Sequence, residues 1–208
     1  ELFCLSSIIL SNLYHIIACK KENNMSALTN FYREIPPLSA GDSFLVFDRT
    51  KDNFDFPVHY HPEFEINFIK NGKGVKRVVG DNIEEIDEVE LVLVGPNLYH
   101  GWELHKCTNK EIREITIQFH NDLFHESMLS RRIMHPIKDM FNRSIHGILF
   151  SKSTAEALTD RLIKLSKLDG MDYFLEITSI LYDLATSRNQ RLLSTFTVDN
   201  DTFEEYDK

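Results

Sequence analysis

The chain has 208 residues, a net charge of −9 and the composition of an ordinary soluble domain, with 42% hydrophobic and 26% charged residues. That length supports one domain with a real core, or one domain and an appendage, and the acidic balance makes the chain as given a poor partner for a phosphate backbone. Its cysteines, Cys4, Cys19 and Cys107, lie far apart with no Cys-x-x-Cys pair, which argues against a disulfide framework or a zinc ribbon and fits a reducing compartment.

Residues 1–24 stand apart from the rest. "LFCLSSIILSNLYHIIAC" is apolar with Ser, Asn and His inside it, and "KKENNMS" follows. It can be read as a signal segment, with "IIAC" as a lipoprotein-like cleavage box, but no basic residue precedes the apolar run. It can be read as a weak spanning helix, interrupted by polar residues. The favoured expectation is that Met25 is the start and that 1–24 are an upstream frame read through, a leader outside the domain.

From residue 43 to 119 the pattern is strand after strand. "SFLVFDR" (43–49) is apolar and aromatic. "FEINFI" (64–69) alternates, with Phe64, Ile66 and Phe68 on one face and Glu65 and Asn67 on the other. "NGKG" (71–74) predicts a hairpin turn into "VKRVV", since Asn-Gly supplies positive φ. "GDN" (80–82) turns again, "VELVLV" (89–94) is a β-branched run, and "GPN" (95–97) turns once more. "EIREITIQF" (111–119) puts Ile115, Ile117 and Phe119 in step. Short strands with frequent turn signals predict an all-β sandwich or barrel.

After residue 120 the period becomes helical. A helix is expected over about 126–142, offset at Pro136. "STAEALTDRLIKLSKL" opens on a capping Ser153 or Thr154, carries Leu158, Leu162, Leu165 and Leu168 at helical spacing, and is expected to end at Gly170. "DYFLEITSILYDLATS" follows with Phe174, Ile177, Leu181 and Leu184, giving an antiparallel helical hairpin. The polar, acidic tail "TFTVDNDTFEEYDK" reads as a linker. The fold class is therefore mainly β with an α appendage: a β-barrel followed by a helical hairpin.

His59, His61 and Glu65 share one parity, so on a single strand they point to one face, opposite Phe64, Ile66 and Phe68; Pro62 can bend that strand. Two imidazoles and a carboxylate suit zinc, iron, nickel or manganese, and His100 after "GPNLY" is a fourth candidate ligand. The plainer alternatives are hydrogen-bonded strand histidines, and Glu65 paired with Lys76 or Arg77 across a hairpin. Trp102 is expected to fill core, with ligand stacking as its minority role. Pro96 and Asn97 form a turn, and the acidic run Asp81–Glu90 is a solvated edge. His15, His105, His120, His125, His135 and His146 fit no ligand spacing. The chain contains no nucleophile elbow, P-loop, dinucleotide fingerprint or metalloprotease helix.

These residues carry a resemblance. His59, His61, Glu65 and Gly72 in "HYHPEFEINFIKNG" resemble the first cupin motif, and "VGPNLYH" resembles the second, with Gly95-Pro96 in place of its Pro-x-Gly order and Asn53 where the first motif usually opens on Gly. The run "HYHPEFEINFIKNGKGVKRVVGDNIEEID…VELVLVGPNLYHGW" is similar to the amino-terminal sensor domain of AraC-type transcription regulators; "SIHGILFS" (144–151) and "LYDLATSRNQRLLST" (181–195) continue the likeness, which covers about 31–195.

The resemblance implies a cupin (jelly-roll) barrel over 25–120 that binds a small-molecule effector such as a sugar. It implies a helical dimerisation region over 121–192, and a linker over 193–208 towards a helix-turn-helix domain absent from this chain. Pocket residues would be His59, His61, Glu65 and His100, with Arg77 and Trp102 as further candidates; the first four are also the candidate metal ligands. The stripes carrying Leu158, Leu162, Leu165, Ile177, Leu181 and Leu184 read mainly as core between the hairpin and the barrel, and the resemblance implies that these helices also make a homodimer. DNA would be reached only through the missing domain, the setting would be cytoplasmic with no membrane contact, and no cofactor is expected beyond an optional divalent transition metal. A non-enzymatic regulator is thus the primary reading. The rival is a stand-alone metal-dependent cupin enzyme, a dioxygenase or isomerase.

Overall fold

The structure, a computed structural model, describes residues 32–39 and 41–195. The leader, Cys4 and Cys19, and the linker beyond residue 195 lie outside the described residues.

Eleven strands form two sheets among the described residues. The strands are β1 (Tyr32–Arg33), β2 (Phe44–Lys51), β3 (His59–Tyr60), β4 (Phe64–Lys70), β5 (Lys76–Val79), β6 (Asn82–Glu85), β7 (Val89–Val94), β8 (His100–Glu103), β9 (Ile112–Phe119), β10 (Ile148–Leu149) and β11 (Arg191–Leu192). One sheet has the order β11-β10-β7-β4-β9-β2 and the other β1-β3-β8-β5-β6. Four helices follow β9: α1 (Glu126–Leu129), α2 (His135–Ser144), α3 (Lys152–Leu165) and α4 (Gly170–Thr186), with a 3-10 turn at Arg132–Met134 before α2.

The alternation of β4 sorts two cores. Phe64, Ile66 and Phe68 face outward from the larger sheet with Leu91, Leu93, Ile115, Ile117 and Phe119, and there they pack under the helices against Met140, Phe141, Leu162 and Leu181. Glu65, Asn67 and Ile69 face inward. In register, Glu65 lies between Val94 and Gln118, Asn67 between Val92 and Thr116, and Ile69 between Glu90 and Glu114. Between the sheets, Ile69, Val92, Val94 and Ile112 meet Val75, Val79, Leu98 and Trp102 in a second apolar cluster. The interior is thus apolar on the β7 side and polar along β9.

Several local expectations change. Asn71 and Gly74 do take positive φ, 62° and 88°, yet "NGKG" is no hairpin: β4 pairs with β7 and β9, while β5 pairs with β6 and β8. The turn carries the chain from one sheet to the other. Gly80 and Asp81 do make a tight hairpin, Val79 pairing Asn82. Ser151, not Ser153 or Thr154, caps α3, its hydroxyl accepting from Thr154 N at 3.2 Å. Helix α3 ends at Ser166, and Gly170, at φ +52°, opens α4 rather than closing α3. Pro136 sits in the first turn of α2, where its missing N–H costs nothing. The region expected to be wholly helical also contains β10 and β11, which return to the larger sheet.

Leu158, Leu162, Leu165, Ile177, Leu181 and Leu184 are all buried within the chain's own core. They are spent on packing the hairpin onto the sheet and present no outer face. Arg161 fastens the hairpin, donating to Glu176 (2.7 Å), Ser179 (2.9 Å) and Asp183.

Candidate functional site

His59 begins β3 and pairs in register with His100, which begins β8. β3 stops at Tyr60, and residues 61–63 cross to the other sheet where β4 starts at Phe64. The shared parity of His59, His61 and Glu65 therefore does not act along one strand: His59 comes from one sheet, Glu65 from the other, and His61 from the crossing at Pro62. They converge nonetheless. One donor atom from each of His59, His61, Glu65 and His100 lies within 4.8 Å of every other, and all four residues are buried.

Main-chain carbonyls orient two of the rings. His59 Nδ1 donates to Pro57 O at 2.9 Å and His100 Nδ1 to Leu98 O at 2.7 Å. A carbonyl can only accept, so in the neutral ring each Nε2 keeps its lone pair. His100 Nε2 is buried with no hydrogen-bond partner, 3.6 Å from Glu65 Oε2. His61 Nε2 lies 3.2 Å from Glu65 Oε2 and 3.7 Å from Glu34 Oε2, and its Nδ1 faces Glu63 at 3.5 Å. Gln118 Nε2 donates to Glu34 at 2.9 Å and to Glu65 at 3.1 Å.

Burial, helped by the neighbouring His100, pushes His59 down to about 3. Burial also works against charge on His61, but hydrogen bonds to Glu63 and Glu65 outweigh it and lift His61 to about 9. Burial opposes ionisation of Glu65 as well, yet the His100 and His61 imidazoles hold its carboxyl well below the usual carboxylate range.

Beside this cluster lies a cavity of about 370 Å³, within the usual size of small-molecule sites. Its lining combines the polar His59, Glu65, Asn67, Thr116 and Gln118 and the charged Glu34, Arg49, Lys51, Asp55 and Glu114 with the aromatic Phe47, Phe54, Phe56 and Trp102. His61 and His100 are not part of that lining. Arg77 is not either: it is 1% exposed and held by Glu90, Glu84 and Asn82. Trp102 is 5% exposed, packs in the apolar cluster as expected, and also lines the cavity. Neither pairing expected across a hairpin from Glu65 forms; Lys76 pairs with Glu103 instead.

Glu34, Asn67, Thr116 and Gln118 complete the site and were not singled out in the sequence. Asn67 shares the parity of Glu65, and Gln118 and Thr116 alternate with Ile117; that signal was available. Nothing marked Glu34, which reaches the site from outside the strand pattern, just after β1.

Comparison with known proteins places these features in a family. Comparison with curated proteins returned no match. Among solved structures, ToxT from Vibrio cholerae is 15% identical with a TM-score of 0.40, covering 76% of this chain and 61% of that one. An apo variant of ToxT is 15% identical with a TM-score of 0.43, covering 68% of this chain and 53% of that one. ToxT with an unsaturated fatty acid bound is 16% identical with a TM-score of 0.36, covering 76% and 58%. The chain thus spans about three-fifths of the length of the ToxT chains it matches. No helix among the described residues is long and apolar enough to cross a membrane. The model of the AraC-like ligand binding domain matches residues 43–185, more than half of the chain, and the chain belongs to that family.

Proposed function

We propose that this domain is the effector-sensing part of an AraC-type regulator, and that the effector binds in the cavity between the two sheets. The carrying observation is the cavity itself: about 370 Å³, lined by buried His59, Glu65, Asn67 and Gln118, by the charged Arg49, Lys51 and Glu114, and by four aromatic rings. Hydrogen-bonding groups facing aromatic surfaces suit a small polar metabolite, a sugar among them. On this reading 25–120 is the sensing barrel, 121–192 the helical region, and 193–208 leads towards a helix-turn-helix domain that would contact DNA in the cytoplasm. A homodimer would have to use the outer face of α4, where Met171, Leu175 and Tyr182 are exposed, because the inner leucines are covered. A thermal-shift screen of sugars, amines and carboxylic acids tests the assignment. A compound that stabilises the wild type should fail to stabilise Thr116→Phe, which fills the cavity; equal stabilisation of both would place binding elsewhere.

A second reading concerns the same interior. The unpartnered His100 Nε2, with His59, His61 and Glu65, fits a divalent transition metal. Donor–metal bonds of about 2.0–2.2 Å set neighbouring donors about 3.0–3.5 Å apart, so donors now up to 4.8 Å apart would have to close by more than an ångström. A bound ion would supply a positive centre able to hold a polar effector; the protein's part is to fix the imidazoles through Pro57 and Leu98. This places a metal within a sensor and needs no enzymatic step.

A further inference from the structure

Three side chains cross the smaller sheet in register. Trp102 of β8 stands opposite Arg77 of β5, and Arg77 opposite Glu84 of β6. Trp102 lines the cavity, and its indole N–H donates to Glu90 Oε1 at 3.3 Å. Glu90 comes from β7 in the other sheet and takes Arg77 on its second oxygen. Arg77 then reaches Glu84 Oε2 at 2.7 Å, and Glu84 is gripped by both terminal nitrogens of Arg191 in β11.

We infer that this row couples occupancy of the cavity to β11, the last described strand, beyond which the chain runs on to residue 208. The inference rests on the sensing reading and supplies its output. Arg77 is 1% exposed and Glu90 6%. A buried guanidinium separated from its buried carboxylate is strongly penalised, so the two move together rather than part. A ligand that displaces the Trp102 indole therefore displaces Glu90, then Arg77, and then the Glu84 carboxylate that Arg191 clasps.

β11 is suited to respond. It is two residues long and, among the described residues, pairs only with the equally short β10. Beyond it the buried Leu193 and Ser194 and then Thr195 are tied down by Leu193 N to Gly147 O (3.0 Å), Ser194 N to His146 O (2.7 Å), the His146 ring to Ser194 O (3.0 Å), and Thr195 to Asp81 through its N–H (2.8 Å) and its hydroxyl. β11 itself is exposed, and short exposed strands open more readily than the core, so a pull on Arg191 is felt first there and then by the bonded segment after it. The Arg191–Glu84 clasp also spans the seam between the two sheets, since β11 and β6 are edge strands of different sheets. Coupling of this kind is reciprocal: what loosens β11 must alter the surroundings of Trp102.

Trp102 is the only tryptophan in the chain, so the emission of the full chain reports on it alone. Arg191→Ala should shift the emission maximum and change quenching by acrylamide, and Glu84→Gln should do the same. Lys152→Ala, which breaks an exposed pair with Asp87, should leave both unchanged. In the other direction, Trp102→Phe should speed amide exchange at Leu193 and Ser194 by roughly fivefold or more. Spectra of Arg191→Ala and Glu84→Gln superimposable on the wild type would overturn the coupling, and so would an equal shift in Lys152→Ala, which would mean general loosening. The emission is read without an effector, so this failure leaves the cavity assignment standing, and failure to bind any effector leaves the coupling standing.

Discussion

At His100, one nitrogen decides what the cluster can hold. Its Nδ1 is committed to Leu98 O, and its Nε2 lies buried without a hydrogen bond, 3.6 Å from the Glu65 carboxylate. A buried acceptor left unpaired costs about 1–3 kcal/mol, and an ion among the four donors would relieve that cost. Metal content of the purified chain, measured after incubation with Ni(II), Co(II) or Zn(II), should approach one ion per chain. His100→Ala should lower that affinity by more than about tenfold, since even outer-shell losses reach that size. Gly95 shows a different kind of constraint. A Cβ there would stand 2.6 Å from the carbonyl carbon and oxygen of Ser144, where the Gly95 N–H donates to Ser144 O at 2.9 Å. Gly95→Ala should therefore lower stability by about 1–3 kcal/mol, read as a lower denaturation midpoint. The same close approach explains why Gly95 precedes Pro96 in "VGPNLYH": the end of β7 must pass against the C-terminal end of α2.

At the scale of elements, the helical hairpin and the sheet seam fail in different ways. Leu162 is fully buried between α3, α4 and the larger sheet, and Leu162→Ala should cost about 2–5 kcal/mol in chemical denaturation. The seam is electrostatic and depends on pH. Hydrogen bonding from Arg191 lowers Glu84 to about 2, against opposition from burial, below the ordinary glutamate value of about 4.3. A carboxylate depressed in the folded state stabilises the fold above its ordinary value, and that contribution fades as pH falls towards the folded value. The melting-temperature difference between wild type and Glu84→Gln should therefore shrink between about pH 6 and about pH 2.5. A constant difference would show that Glu84 acts through packing alone. Much at this scale was legible in the sequence. Alternation located β4 and β9 nearly to the residue, the β-branched run "VELVLV" located β7, and helical spacing located the core face of α3 and α4. What periodicity does not carry is pairing: "NGKG" has hairpin chemistry, yet the inward-facing residues on either side of it belong to different sheets. The two-residue strands β3, β10 and β11 are too short to show any period.

For the whole molecule, the sequence located the chemistry but not the route by which it assembles. His59, His61, Glu65 and His100 stood out by type and spacing, and they do meet, although through a crossing between sheets rather than along one strand. Glu34 joins them from a part of the chain with no pattern, and Gln118 and Asn67 were hidden in ordinary alternation. The helix leucines were legible as core between the hairpin and the barrel, and the sheet's own Phe64, Ile66 and Phe68 do cover them. The molecule is thereby divided by sheet face, with helices on the outer side of the larger sheet and a ligand-sized cavity on its inner side. On the proposed reading, that division would let the inner face respond to an effector while the outer face keeps the fold. The most direct measurement of this account is a titration of the full chain with small sugars, amines, carboxylic acids and divalent metals, followed by Trp102 emission. At least one class should give a saturable change, and Thr116→Phe should abolish it. A compound that raises the melting temperature while leaving Trp102 emission untouched, and that binds Thr116→Phe as tightly as the wild type, would contradict the assignment of the barrel interior as the sensing site.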